Sequence, residues 1–388
     1  MRDAARFIVQ RIVSQHYNGS TCVKALVIGG TGPTGHHIVN GLIARGYTVE
    51  ILHRGTHEVE EIPREVVHHH ADPYDPAVLR EFFDARRYAL CVATYGRLRA
   101  IAQESAGKVE RFISAGGVPA YRGYMHPQAF EPAGLPVPTG EDAAKVRGPE
   151  DDDKGWRILR TEETVFECHP GATHIRYPYV YGRHQPIPCE WPIVRRILDG
   201  RAFIILPDGG LTLHHMGYAQ NVAHGVLLAV DRPENARGRI YNCADDEALT
   251  LRQRTEIIAA ALGRAIEIVS MPWELAVPAR PLVMQPLTTH RVLDTSRIRV
   301  ELGYADRVPA REALAITARE LAATPPARGG VEEMVLQDPF DYSAEDRLRA
   351  AWESALASMP AIAFDTEPGF TMSYSGPGGR ARSNNSFT

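Results

Sequence analysis

The sequence predicts an α/β fold: a doubly wound parallel sheet, with a smaller mixed α/β region towards the C-terminus. Three observations point to it. From residue 23 short apolar runs alternate with amphipathic stretches of helical period, which is the pattern of strands joined by crossover helices. The first apolar run leads straight into "GGTGPTG", with Gly29, Gly32 and Gly35 at every third position and a helical stretch behind them. After residue 185 the rhythm becomes less regular, so a second, mixed region follows.

The elements read in order. "VKALVIG" is a buried strand, "PTGHHIVNGLIARG" an amphipathic helix ending near Gly46, and "TVEILHR" the second strand. "VHHH" belongs to a third strand, and "DPAVLREFFDA" is a helix after a proline turn. "YALCVAT", "RLRAIAQESAG" and "ERFISAGG" continue as strand, helix and strand. Residues 122–155, rich in Pro and Gly and ending in "GPEDDDKG", break the rhythm as a long loop expected to lie over a ligand crevice. The helix "WRILRTEETVFECH" and the strand "ATHIRYPYVYG" close the first region, giving an expected dinucleotide-binding domain over 23–185. In 186–330, the expected substrate-binding region, "CEWPIVRRILDG", "GYAQNVAHGVLLAV" and "TLRQRTEIIAAALG" read as helices. "RAFIIL", "GRIYNCA" and "AIEIVSM" read as the strands between them. Residues 1–22 form an N-terminal extension, and 331–388 hold one helix, opened by Ser343 with Asp346 in its first turn, and a tail expected to be mobile from Gly376.

Composition narrows the function. With 388 residues, 44% of them hydrophobic, the chain can bury a sizeable core. A net charge of −4 with mixed signs offers no basic face for nucleic acid, so the expected partner is a small molecule. The five cysteines lack C-x-x-C spacing, which fits a reducing cytoplasm better than a disulfide framework or a zinc site. No apolar run reaches membrane length, and Arg11 interrupts what would be the apolar core of a signal peptide. "NGS" at 18–20 is a chance match to a glycosylation acceptor in such a protein. Alternation along "HHH" at 68–70 keeps three neighbouring rings from converging, and His214 and His215 face opposite ways, so no metal is expected.

A strand, a glycine turn and a helix N-terminus together form an anion cradle, because backbone N–H groups can approach a pyrophosphate and the helix end adds partial positive charge. This makes the sheet Rossmann-type and assigns Gly29, Thr31, Gly32, Pro33, Thr34 and Gly35 to a dinucleotide, with Pro33 suited to the first helical turn. The exit of the second strand selects between cofactors. An acid there would hold the ribose of NAD, whereas a cation accepts the 2′-phosphate of NADP. Glu50 falls three residues too early, while His53 and Arg54 occupy the exit, so NADP is favoured over NAD. His36 and His37 either add to the phosphate site or face solvent.

With "HADPYDP", "FISAGGVPAY" and "RYPYVYG" in order behind the glycine loop, residues 23–320 resemble the extended and atypical short-chain dehydrogenase/reductases, the class called NAD-dependent epimerase/dehydratase. The resemblance implies that Asp72 contacts the adenine, that Ala93 and Thr94 lie along the cofactor, and that Ser114 lies beside the substrate carbonyl. It also implies that Pro178 and Tyr179 neighbour the nicotinamide, and that the protein is a homodimer. The family's Tyr-x-x-x-Lys pair is absent; one register puts Trp156 and Arg160 in its place, neither able to run the proton relay. A second register is similar to the isoflavone and pinoresinol reductase branch, which keeps a lysine eight residues before a helix glutamate, as Lys154 stands to Glu162. The candidate catalytic residues are therefore Lys154, Ser114 and Tyr121, with Tyr179 as a rival phenol.

These residues predict an NADP(H)-dependent oxidoreductase that reduces a carbonyl or conjugated double bond of a small secondary metabolite with a non-standard proton donor. The alternatives are a sugar-nucleotide epimerase or dehydratase, or a non-catalytic NADP-sensing regulator that kept the cofactor site and lost the relay.

Overall fold

The computed structural model describes residues 23–94, 97–285, 287–366 and 368. The N-terminal extension, the "NGS" triplet and the tail from Gly376 lie outside the described residues. The chain starts in the middle of the main sheet with β1 (Lys24–Ile28). It then runs outward through α1 (Gly35–Ile43), β2 (Thr48–His53) and β3 (Val67–His70). It returns through α2 (Pro76–Asp84) to β4 (Tyr88–Ala93) on the other side of β1, and continues through α3 (Leu98–Ser105), β5 (Val109–Gly117), α4 (Pro149–Cys168) and β6 (Thr173–Tyr177).

Beyond β6 come β7 (Tyr179–Tyr181), α5 (Trp191–Leu198), β8 (Phe203–Pro207), β9 (Met216–Tyr218) and α6 (Ala219–Asp231). The strand β10 (Arg239–Asn242) then joins the edge of the main sheet, giving seven parallel strands in the order β10-β6-β5-β4-β1-β2-β3. Two short parallel pairs, β7 with β9 and β8 with β11 (Glu267–Met271), stand apart from it. Helices α7 (Leu251–Ala261), α8 (Ser296–Leu302) and α9 (Ala310–Ala323) complete the unit that ends at Phe340. Residues from Asp341 form a second unit, whose described helix is α10 (Tyr342–Ser358).

Alternation of side chains along each strand divides the core into two layers. Val27, Ile51 and Val92 face one side and pack with Ile38 and Val39 of α1 and Val222 and Val226 of α6. Leu26, Ile28 and Cys91 face the other, against Phe83 of α2, Ile101 of α3 and Val165 of α4. Because the chain leaves β1 in one direction and later resumes at β4 in the other, a crevice opens between the C-terminal ends of these two strands. The glycine loop sits at that switch point.

Local chemistry accounts for the helix starts. Asp75 caps α2 by accepting from the Ala77 N–H at 2.8 Å, with Pro76 in the first turn. Thr250 and Gln253 form a reciprocal capping box on α7. Three expectations change. Pro33 lies in the turn before α1, not inside its first turn. The acidic run after Gly148 forms a helical turn from Pro149, broken at Asp152, where backbone angles leave the helical region. Asp341, not Ser343, caps α10, accepting from Ala344 N–H at 3.0 Å and placing Ser343 inside the helix.

Glu50 shows why it stands mid-strand. Its carboxylate is buried and accepts hydrogen bonds from Lys24 at 2.9 Å, Tyr88 at 2.7 Å and His69 at 2.8 Å, joining β1, β2, β3 and β4. Burial pushes its pKa up, but the bonds from Lys24, Tyr88 and His69 outweigh this and bring it to about 2. A depressed carboxyl contributes stability that is present above its unfolded pKa and is lost as pH falls towards the folded value. Glu50→Gln should therefore cost about 2 kcal/mol at neutral pH. In denaturant titrations the difference from wild type should shrink between about pH 4.5 and pH 2.

Candidate functional site

The turn after β1 is built for close approach. Gly29 has φ +89°, a left-handed conformation that favours glycine. A Cβ on Gly35 would stand 2.3 Å from the Gly30 carbonyl oxygen and 2.6 Å from that of Gly29, so the first turn of α1 can seat on the loop only without a side chain. Around this turn lies a cleft of about 510 Å³. Gly29, Thr31, Gly32, Pro33 and Thr34 form its floor, and Arg54, Thr94, Pro178 and Tyr179 contribute to the walls. No side chain caps the N-terminus of α1, and no acid stands in its first turn, so its N–H groups and dipole face the cleft floor without a competing acceptor.

The other residues assigned to the cofactor fall outside that wall. Gly35 lies beneath it as packing. Ala93 is fully buried in β4, and the exposed Asp72 accepts from the Tyr74 N–H at 2.9 Å, closing its own turn. At the exit of β2 the Arg54 guanidinium lies 5.5 Å from the centre of the Tyr74 ring, and Arg97 lies 5.0 Å from the same ring. Two cations thus share one aromatic at the edge where the sequence places a 2′-phosphate. His36 and His37 stack on each other at 3.9 Å and are not part of the cleft wall; burial lowers both pKa values, that of His37 to about 4.

The expected catalytic residues do not converge. Lys154 is exposed on α4 and lines a separate pocket with Tyr74, Arg97 and Arg157. Ser114 is completely buried in β5, its hydroxyl 2.8 Å from Nδ1 of His174, the residue directly across the β5–β6 register. Tyr121 is buried in the interior, donating to Asn242 Oδ1 at 2.7 Å and accepting from Arg176 Nη1 at 2.8 Å. The helix glutamate of the Lys154 register, Glu162, holds the Arg176 guanidinium with two bonds of 2.6 and 2.8 Å. Ser114, Tyr121 and Glu162 therefore belong to an internal polar network. The physical reason is Arg176: a fully buried guanidinium requires a carboxylate and further acceptors, which Glu162 and Tyr121 supply, while Ser114 is tied to His174, 3.4 Å from Glu162.

The loop 122–148 is bound inward rather than over the cleft. Arg176 Nη1 donates to the Glu141 carbonyl at 3.1 Å, Asn242 N–H donates to the Glu141 carboxylate at 2.9 Å, and Thr139 N–H donates to the Val292 carbonyl at 2.7 Å. None of its residues lines the cleft. Lys145, which donates to the carbonyls of Glu141 and Ala143, has its pKa lowered to about 8 by burial and by Arg176.

Several wall residues were not singled out from the sequence. Thr56 and His57 follow the β2 exit, and His184, Pro186 and Ile187 come from the turn after β7. His184 has φ +64° and contacts Glu61 at 3.1 Å, a pairing across 123 positions that no local pattern signals. Beside Tyr179 lie two buried polar side chains. His214 meets the Tyr179 ring edge-on at 5.5 Å, its Nε2 without a hydrogen-bond partner. Arg291 lies 4.9 Å from the Tyr124 ring centre, with Nε and Nη1 unpartnered. Burial raises the Tyr179 pKa, so its phenol keeps its proton at neutral pH.

No protein-family model matches the chain. A curated protein of Streptomyces sp named 3-diazoavenalumate denitrifying reductase is 26% identical over 307 residues, spanning 74% of this chain and 97% of its own. The uncharacterised protein YbjS of Escherichia coli (strain K12) is 24% identical over 229 residues, or 54% of this chain and 66% of that one. Among solved structures, the UDP-glucose 4-epimerase of Thermotoga maritima with UDP-glucose superposes with a TM-score of 0.62 at 19% identity, covering 78% of this chain and all of the other. The two share a fold, a parallel Rossmann-type sheet flanked by helices. The same fold appears in the Bordetella bronchiseptica enzyme WbmG in complex with NAD, with a TM-score of 0.60 at 14% identity over 78% of this chain.

Replacing Glu162 by Gln would leave Arg176 buried without its counter-charge, and should cost about 3–5 kcal/mol by chemical denaturation. Tyr121→Phe removes one hydroxyl from the same network and should cost about 1–2 kcal/mol.

Proposed function

We propose that the cleft at the glycine loop binds a nicotinamide dinucleotide, NADP(H) in preference to NAD(H). On this reading the protein is an oxidoreductase reducing a carbonyl or conjugated double bond of a small molecule. The observation that carries the proposal is the cradle: a loop in which Gly30 and Gly35 leave no room for a Cβ atom and Gly29 takes a left-handed φ, below an uncapped helix N-terminus, at the switch point of a parallel sheet. The chemistry the cofactor supplies when bound is hydride transfer. Backbone N–H groups of the loop and of the first turn of α1 hold the pyrophosphate, and Arg54, with Arg97 close by, receives the 2′-phosphate.

Of Lys154, Ser114, Tyr121 and Tyr179, only Tyr179 lines the cleft, so it is assigned the proton-donating role. Its raised pKa suits a neutral phenol that gives a proton to a developing oxyanion or carbanion; a phenolate base would need the pKa lowered. Arg291, with two unpartnered donors close to Tyr179, favours a substrate bearing a carboxylate. A sugar-nucleotide epimerase or dehydratase is the second reading, favoured by the likeness to the UDP-glucose epimerase structure. The withdrawal of Ser114 and Tyr121 into the interior supports the third, a dinucleotide-sensing protein without turnover.

Titration followed by nicotinamide fluorescence should show tighter binding of NADPH than NADH, and Arg54→Ala should weaken NADPH by about tenfold or more while sparing NADH. Failure to bind either cofactor would overturn the proposal. With a panel of enone and carbonyl acids, Tyr179→Phe should lower kcat by about 100-fold with cofactor binding unchanged, and Arg291→Met should raise KM. Lys154→Ala should leave both parameters near wild type. Cofactor binding without turnover of any substrate would favour the sensing role.

A further inference from the structure

We propose that His53, Glu58, His68 and His70 form a binding site for a divalent transition metal of the zinc type, at the edge of the main sheet beside the cleft. The sequence argument against a metal rested on strand alternation, and alternation does send His69 to the opposite face, where it bonds Glu50 and packs edge-on against Phe82. The same rule brings His68 and His70 onto one face, two residues apart. Parallel pairing of β2 with β3 then sets His53 directly opposite His70, a third imidazole that spacing along the chain does not reveal. Glu58, from the loop between the two strands, faces all three.

The distances fit a coordination shell. His53 Nε2 lies 3.2 Å from His68 Nδ1 and 3.5 Å from Glu58 Oε1. Glu58 reaches His68 Nδ1 at 3.0 Å and His70 Nε2 at 3.1 Å. Zinc–nitrogen bonds of about 2.0–2.1 Å in a tetrahedron put neighbouring ligand atoms about 3.3 Å apart, in the middle of these values. The widest separation in the set is within 4.8 Å, and Glu58 and His70, both about half exposed, are free to close it. Three imidazoles and one carboxylate favour zinc over the oxygen-seeking magnesium or calcium.

His53 is the buried anchor. Its ring is buried, and the β2–β3 pairing fixes its place opposite His70. The Gly55 N–H approaches its Nδ1 at 3.4 Å, so without an ion the ring proton sits on Nε2, at the point where the metal would bind. Metal binding at Nε2 moves the ring proton to Nδ1, where the Gly55 N–H gives way to it, and draws Glu58, with the loop that carries it, onto the sheet. Since His53 is also a wall residue of the cleft, the ion would hold that wall in place. The site stands independently of the dinucleotide reading, because its occupancy is measured on the metal itself.

The test is a titration of chelator-treated full-length protein with Co2+, read by the visible d–d absorption of a tetrahedral nitrogen-oxygen site, followed by displacement with Zn2+. Binding of about one equivalent is expected. His70→Ala and Glu58→Gln, both at half-exposed side chains, should weaken binding by about 100-fold, and the exposed His126→Ala should not. Should Glu58→Gln disturb the loop, His68→Ala on the strand gives the same readout. The proposal is overturned if the wild-type protein takes up no stoichiometric metal, or if the ligand variants bind as tightly as wild type.

Discussion

The arrangement of this molecule depends on one buried ion pair. Arg176, inside β6 and wholly removed from water, is held by Glu162 of α4, and the rest of its hydrogen-bonding capacity goes to Tyr121 and to the loop carbonyl of Glu141. A buried guanidinium without these partners would be costly, so the chain segments that provide them have little freedom to lie elsewhere. Asn242 extends the network from β10 by accepting from Tyr121 and donating to the carbonyls of Thr139 and Asp294. One interaction thus joins a central strand, its crossover helix, the long loop and the returning edge strand.

The same network separates architecture from chemistry. The resemblance read from the sequence sought a proton relay at Ser114, Tyr121 and Lys154, yet here the hydroxyls are spent on His174, Asn242 and Arg176. Near Tyr179, by contrast, Nε and Nη1 of the buried Arg291 and Nε2 of the buried His214 have no protein hydrogen-bond partner.

How much was readable from the chain follows from the range of each signal. The strand–helix alternation and the glycine spacing are local patterns, and they placed the sheet, its core and the loop at the switch point correctly. The bonds of Glu50 to Lys24, Tyr88 and His69 needed three dimensions to appear. The catalytic assignments depended on register within α4 and on which way β5 side chains point, and motif likeness does not carry that information. Alternation along "VHHH" was sound within one strand but silent about the neighbouring strand, where His53 stands in register with His70.

The position of β10 has a consequence for how such a protein could have been assembled. Most of the sheet is complete by residue 177, yet its last edge is closed by residues 239–242, after an excursion through three short strands and three helices. A fragment ending before that return would expose the backbone of β6 as an open edge and leave Tyr121 without Asn242. The half that carries the glycine loop is therefore not a separable cassette. Variation in what such a protein acts on has to arise by altering the excursion in place, between two fixed points on one sheet, and the irregular course of residues 178–238 is where the fold leaves room for it.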